Sequence, residues 1–201
     1  RDRSPSRGLG DVYKRQLVMM MQLHFLLNTR ELGIERHNVG AVVYCSENIP
    51  FKEIVSQIPE VSECLNGFHT PIPKMFYSIY RVKEWDGKVA DSEQYIELED
   101  ETINQDYADF FGVEVLNGSM LDEKDGKDMV VINEAAMKAF GWTQPIGKKM
   151  GKLGKQCIVK GVIKNISYNA PIHPVAPAMF HLPDSRDRGG ITVSYTHLRA
   201  H

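Results

Sequence analysis

"VVINEAAMKAFGWTQPIGKKM" (Val130–Met150) sets a β-branched run against a helix-forming one and closes on Pro-Ile-Gly-Lys. Val130, Val131 and Ile132 suit a strand. Asn133 stands where it caps the helix "EAAMKAF", Glu134 lies in the favourable first turn, and Gly141 serves as the C-terminal stop. The glycine and two lysines that follow have two readings, the end of a phosphate-binding loop or a structural corner. A phosphate loop has about four residues between its first glycine and Gly-Lys, follows a strand and ends in Ser or Thr to hold magnesium. Here five residues separate Gly141 from Gly147, the loop follows a helix, and Lys149 occupies the Ser/Thr place. The spacing therefore predicts a corner: Pro145 fixes φ, Gly147 admits a positive φ, and Ile146 and Lys148 ride on the turn.

The ends of the chain differ in character from this interior. "SRGLGDVYKRQ" (Ser6–Gln16) resembles a translation of the adaptor used in transposase-based sequencing libraries, and "VSYTHLRAH" (Val193–His201) resembles its reverse complement in another frame. Residues 1–16 and 193–201 are accordingly expected to be artefactual and to pack against nothing. The natural fragment would then be Leu17–Thr192, 176 residues long and internal to a longer protein. The ends hold six of the 24 basic residues and two of the 26 acidic ones, which leaves the interior at a net charge of −6. That acidity argues against a nucleic-acid partner, which calls for a basic face.

An interior of this length fits one domain, built from one or two lobes. Cys45, Cys64 and Cys157 lie far apart with no metal-ligand spacing; a Cys45–Cys64 bridge is one arrangement and buried thiols the expected one. Leu17–Leu27 is apolar except for Gln22 and His24 but shorter than the roughly twenty residues a bilayer span takes. It reads either as the end of a transmembrane or stalk helix over 17–30, or as an amphipathic helix.

Strands and helices alternate beyond it. "VGAVVYC" (Val39–Cys45) is a strand, and the next helix carries Ile54, Ile58, Val61 and Leu65 at helical spacing, with Pro59 expected to end or kink it. Asp86-Gly87 signals a hairpin between "MFYSIYRVKEW" and "VADSEQYIELE". A short helix should close at Gly112, with a brief strand after it; "CIVKGVIKNISY" and "PAMFHLP" supply the last strands. The class is α+β with a mixed sheet and short helices.

No candidate for chemistry survives its spacing. "LDEKDGKD" (Leu121–Asp128) suggests calcium, yet aligning Gly126 with the EF-hand glycine puts Leu121 and Ile132 at ligand positions, so a solvated acidic loop is expected. His69, His173 and His181 fall near prolines in expected loops without convergent spacing. There is no nucleophile elbow. The expectation is a chain without catalytic residues, metal or cofactor.

With these segments laid out, "FFGVEVLNGSML", "MVVINEAAMKAFGWTQPIGKKM" and "CIVKGVIKNISYNAPIHPVAPAMF" together resemble the extracytoplasmic core domain of MacB/FtsX-type ABC transporter permeases. Phe110 and Phe111 precede Gly118; Asn133 and Glu134 open the helix; Pro145, Ile146, Gly147 and Lys148 form its closing corner. Gly161, Val162, Lys164 and Asn165 then precede Pro177. "NTRELGIERHNV" (Asn28–Val39) resembles the exit of such permeases from the membrane, with Ile34 where an aromatic is common.

The resemblance implies a porter-like lobe with a smaller second lobe, spanning residues 31–192, on the periplasmic side of the inner membrane of a Gram-negative-type bacterium. It implies one membrane helix before the domain and three after it. The implied partners are a cytoplasmic ABC ATPase subunit, a second permease copy in a dimer, and a periplasmic partner protein. ATP would be hydrolysed elsewhere, and helix movement would reach the domain through the stalk. Two other classes stay open: a membrane-anchored binding module without an ATPase, and a soluble extracellular enzyme whose site assembles only in space.

Overall fold

Three consecutive β-branched residues at Val130–Ile132 bury completely when a strand is covered on both faces, and that is how they are used. A computed structural model describes residues 13–23, 25, 39–43, 51–66, 78–89, 94–152, 155–167, 174–183 and 190–195. The elements begin with a helix over residues 13–23 (α1), β1 (Val39–Val43), α2 (Phe51–Val55), β2 (Val61–Asn66) and β3 (Ile79–Val82). β4 (Glu84–Trp85), β5 (Lys88–Val89), β6 (Ile96–Thr102), α3 (Gln105–Phe111) and β7 (Val115–Gly118) follow. β8 (Met129–Asn133), α4 (Glu134–Phe140), β9 (Lys149–Lys152), β10 (Lys155–Ile163), β11 (Ala178–His181) and β12 (Gly190–Tyr195) complete them.

Among the described residues nine strands form one sheet in the order β3-β6-β11-β8-β10-β9-β4-β5, with β7 also paired to β10. β8 runs parallel to β10 and β6 parallel to β11, while the other pairs are antiparallel. The architecture is thus α+β on a mixed sheet. A separate three-stranded sheet, β1-β12-β2, forms a smaller unit.

Period-two alternation distributes the side chains between two cores. Val131, Ala178 and Phe180 join Tyr107 and Phe111 of α3 on one face, with Leu65 of the small sheet in the same cluster. Val130, Ile132 and Met179 face the other way, with Ala136 and Phe140 of α4. The two tryptophans of the chain belong to this second core: Trp142 stacks on Phe140 at 4.2 Å, and Trp85 meets Phe140 edge-on at 5.8 Å.

One residue breaks the alternation in β10. Val159 pairs with Val130 and Gly161 with Val131, so Lys160 is the extra residue of a bulge. Val159 and Val162 therefore both face the α4 core, although they are three residues apart. The bulge brings β7 against β10. A Cβ on Gly161 would collide with the backbone carbonyl of Ser119, and one on Gly118, where φ is +74°, with the carbonyl of Lys160.

Four expectations from sequence change here. Val61 and Leu65 lie on strand β2 and not on a helix, because the chain leaves α2 before Pro59; Ile54 and Ile58 are exposed. Asp86 and Gly87 turn a hairpin of two residues per strand, while the longer β3 pairs directly with β6. His181 ends strand β11 instead of sitting in a loop. Val193–Tyr195 do pack: β12 is the central strand of the small sheet, paired from Val39↔Ser194 on one side to Val61↔Tyr195 on the other, because backbone donors and acceptors pair whatever the origin of the side chains. α1 is exposed along its described length, and no helix of the described residues is long and apolar enough to cross a membrane. Cys45, His69 and His173 lie outside the described residues; Cys157 is buried and Cys64 half-buried.

Gly161→Ala should lower stability by about 1–3 kcal/mol, the cost of overpacking. Gly147→Ala, with φ +79° but open space at its Cβ, should cost about 1 kcal/mol from backbone strain alone. Urea unfolding of both variants checks the order, and a larger loss at Gly147 would reverse it.

Candidate functional site

The residues that sequence reading singled out gather at the two ends of α4. Asn133 is 1% exposed, and both polar atoms of its amide are hydrogen-bonded. Its Oδ1 accepts from Ala136 N at 2.8 Å and Ala178 N at 3.0 Å, while Nδ2 donates to Ala176 O at 2.8 Å. One side chain therefore caps α4 and fixes the start of β11. Beside it, Ala135 N donates to Asn165 Oδ1 at 3.0 Å and Asn165 N donates to Glu134 Oε2 at 3.2 Å. This reciprocal pair ties the ends of the parallel strands β8 and β10 together. It resembles a capping box whose second half comes from thirty residues away.

At the other end, Gly141 adopts the left-handed conformation with φ +67°, and its N–H returns to Lys138 O. The chain then reaches Pro145–Lys148. Gly147 N donates to Val159 O at 2.8 Å, and Val159 N donates to Lys148 O at 2.9 Å. The corner thus continues the β9–β10 ladder up to the bulge, which spends the amides that a phosphate would need. Lys148 Nζ reaches Asp86 Oδ2 at 2.6 Å, so the corner is pinned to the β4–β5 hairpin. That pairing spans 62 residues and left no local signal in the sequence.

The acidic loop is also tied to the sheet. Asp125 Oδ2 accepts from Asp122 N at 2.6 Å and from Lys160 Nζ at 2.5 Å, so the bulge residue anchors the loop. The backbone bond from Asp122 and then Lys160 hold the Asp125 carboxyl below its ordinary value. His181 turns Nδ1 to Leu182 O at 2.9 Å and Nε2 to Asp100 at 3.3 Å. Among the described residues no group of three or more His, Cys, Asp or Glu could hold a metal. A shallow cleft lined by Glu84, Trp85, Gly151 and Gln156 lies over the β4–β9 junction. What these arrangements do chemically is hold strands and turns in register.

No protein-family model matches the chain, and no curated protein matches it in sequence. Among solved structures it is similar to the extracellular domain of the noncanonic ABC-type transporter YknZ from Gram-positive bacteria, at 16% identity and a TM-score of 0.47 over 78% of this chain and 82% of that one. It is also similar to the periplasmic region of MacB from Actinobacillus actinomycetemcomitans, at 17% identity and a TM-score of 0.48 over 82% and 77%. A third is a domain of a putative permease protein from Porphyromonas gingivalis, at 16% identity and a TM-score of 0.46 over 74% and 62%.

Asn133→Ala removes a cap and two further hydrogen bonds at a buried site, and should cost about 2–4 kcal/mol. Glu134→Ala, which loses one half-buried bond, should cost about 1 kcal/mol or less. Thermal melting of the two variants tests the difference.

A carboxyl lowered in the folded state stabilises above its unfolded value and loses that contribution as pH falls through the folded value. The stability gap between wild type and Asp125→Asn should therefore be full at pH 7 and shrink as the pH falls below the ordinary carboxylate range. Urea titrations at neutral and strongly acidic pH measure it, and a gap that stays constant would mean that the Asp125 charge is not involved.

Proposed function

We propose that this chain contains the extracytoplasmic core domain of an ABC transporter permease subunit of the MacB/FtsX type, without a catalytic site of its own. What carries the proposal is the single linked unit made by the motif residues: Asn133 capping α4 and bonded to the start of β11, Glu134 bound to Asn165 beside it, and Pro145–Lys148 laddered to β10 at the other end of the helix. These are the residues by which the sequence resembles that family, and each has a structural task in one rigid lobe.

In this reading residues 31–192 form the domain on the outer, periplasmic side of the inner membrane, and residues 17–30 end a stalk helix. The ATPase is a separate cytoplasmic subunit, and the permease pairs with a second copy and engages a substrate or partner protein outside the membrane. Nucleotide-driven helix movement shifts the domain between two arrangements, for which it needs stiffness and contacts that differ between them. The Gly141–Lys149 segment favours this over nucleotide chemistry, since its amides at Gly147 and Lys148 are engaged or turned along the chain.

The test has two arms. Calorimetry of the chain with Mg-ATP should show no binding, and removing the domain from the reconstituted permease should change how strongly transport state controls the ATPase while basal hydrolysis persists. Micromolar ATP binding by the chain alone would overturn the reading. Unchanged coupling after deletion would favour a passive, membrane-anchored binding module.

A further inference from the structure

Asn117 is followed by Gly118 at the end of β7. An asparagine before a glycine brings a side-chain amide within reach of a backbone nitrogen that no side chain on the next residue shields. The fold itself demands that glycine: φ at residue 118 is +74°, and a Cβ there would collide with Lys160 O and Ile146 Cδ1. Its nitrogen faces the outer edge of the sheet. Ser119 N donates to Lys160 O, and in an antiparallel ladder bonded pairs alternate with unbonded ones, so Gly118↔Gly161 is an unbonded pair and the Gly118 N–H points away from β10. Among the described residues no strand takes that edge. Asn117 is exposed, and among the described residues no hydrogen bond holds its side-chain amide. The amides of Asn104, Asn133 and Asn165 are by contrast tied to backbone nitrogens.

We infer that Asn117 is a site of spontaneous deamidation through a succinimide. The Gly118 nitrogen attacks Asn117 Cγ: the N–Cγ bond forms, the nitrogen gives its proton to water or hydroxide, and the Cγ–Nδ2 bond breaks with loss of ammonia. Water then opens the ring at either carbonyl and leaves aspartate or isoaspartate at residue 117, so that an amide and a water become a carboxylate and an ammonium ion. Ring closure requires Asn117 to leave its extended conformation, which β7 permits by opening locally. It is a short edge strand, exposed throughout, and its ladder is interrupted just before Asn117, where Leu116 has no partner between Val115↔Ile163 and Asn117↔Val162. Either product sets a new negative charge on this strand. Isoaspartate also lengthens the main chain by a methylene and takes β7 out of register with β10. The inference goes beyond the proposed function and stands without it, since it rests on β7 alone.

Incubating the folded 201-residue chain at mildly alkaline pH and mapping its peptides by mass spectrometry should show Asn117 converting to aspartate and isoaspartate while Asn104, Asn133 and Asn165 stay intact. Asn66, which also precedes a glycine, is read separately in the same map. Asn117→Gln, whose longer side chain closes a ring far less easily, should lose the conversion at residue 117 and keep the wild-type circular dichroism melt. The destabilised Asn133→Ala variant should convert at Asn117 at the wild-type rate, because the opening of β7 is local. Conversion at Asn117 no faster than at Asn104 would overturn the inference. So would aspartate without isoaspartate, which means direct hydrolysis of the amide, or a rate at Asn117 that rises with the loss of stability in Asn133→Ala, which means that the whole domain must unfold first.

Discussion

Asn133 is where the fold is joined. A buried amide that left its groups unpaired would cost several kcal/mol, and here its oxygen accepts from the first turn of α4 and the start of β11 while its nitrogen donates to the carbonyl of Ala176 just before β11. β8 and β11 are antiparallel neighbours contributed by segments more than forty residues apart. The shared amide fixes where β11 begins and hence which of its residues face which core. Ala178 and Phe180 must then face α3, and Met179 must face α4.

The bulge at Lys160 is the second constraint. Without it, β10 would present Val159 and Val162 to opposite faces, and one of the two cores would lose a side chain. With it, the extra residue has its ammonium held by Asp125 and its carbonyl accepts from Ser119 N at 3.4 Å. The close approach of β7 leaves no room for side chains at Gly118 and Gly161. The edge of β10 is consequently filled along its length by β9, the Gly147–Lys148 corner, Ser119 and β7 in turn.

The small sheet has a different basis. It is held by ladder bonds among β1, β12 and β2, and it meets the large unit through Leu65 and the partly buried Val39 beside the α3 core. Its central strand includes Val193–Tyr195, which the sequence marked as foreign to the fold. Strand pairing depends on extended backbone and tolerant side chains, and "ITVSY" supplies both.

What the sequence by itself determined was local. The strand Met129–Asn133, the cap at Asn133, the left-handed stops at Gly112 and Gly141, and the positive φ at Gly147 follow from residues within a few positions of one another, because caps and turns are satisfied within their own segment. Pro59 likewise announced the end of a helix, although the apolar spacing beyond it read as helix and became strand β2. Only the tertiary structure decided what depends on distant partners: Lys148 with Asp86, Asn165 completing the cap of α4, Lys160 as the bulge residue, and the tryptophans converging on Phe140. A bulge changes no local pattern until the strand beside it is known, and a hydrogen bond across thirty or sixty residues leaves no periodicity to read.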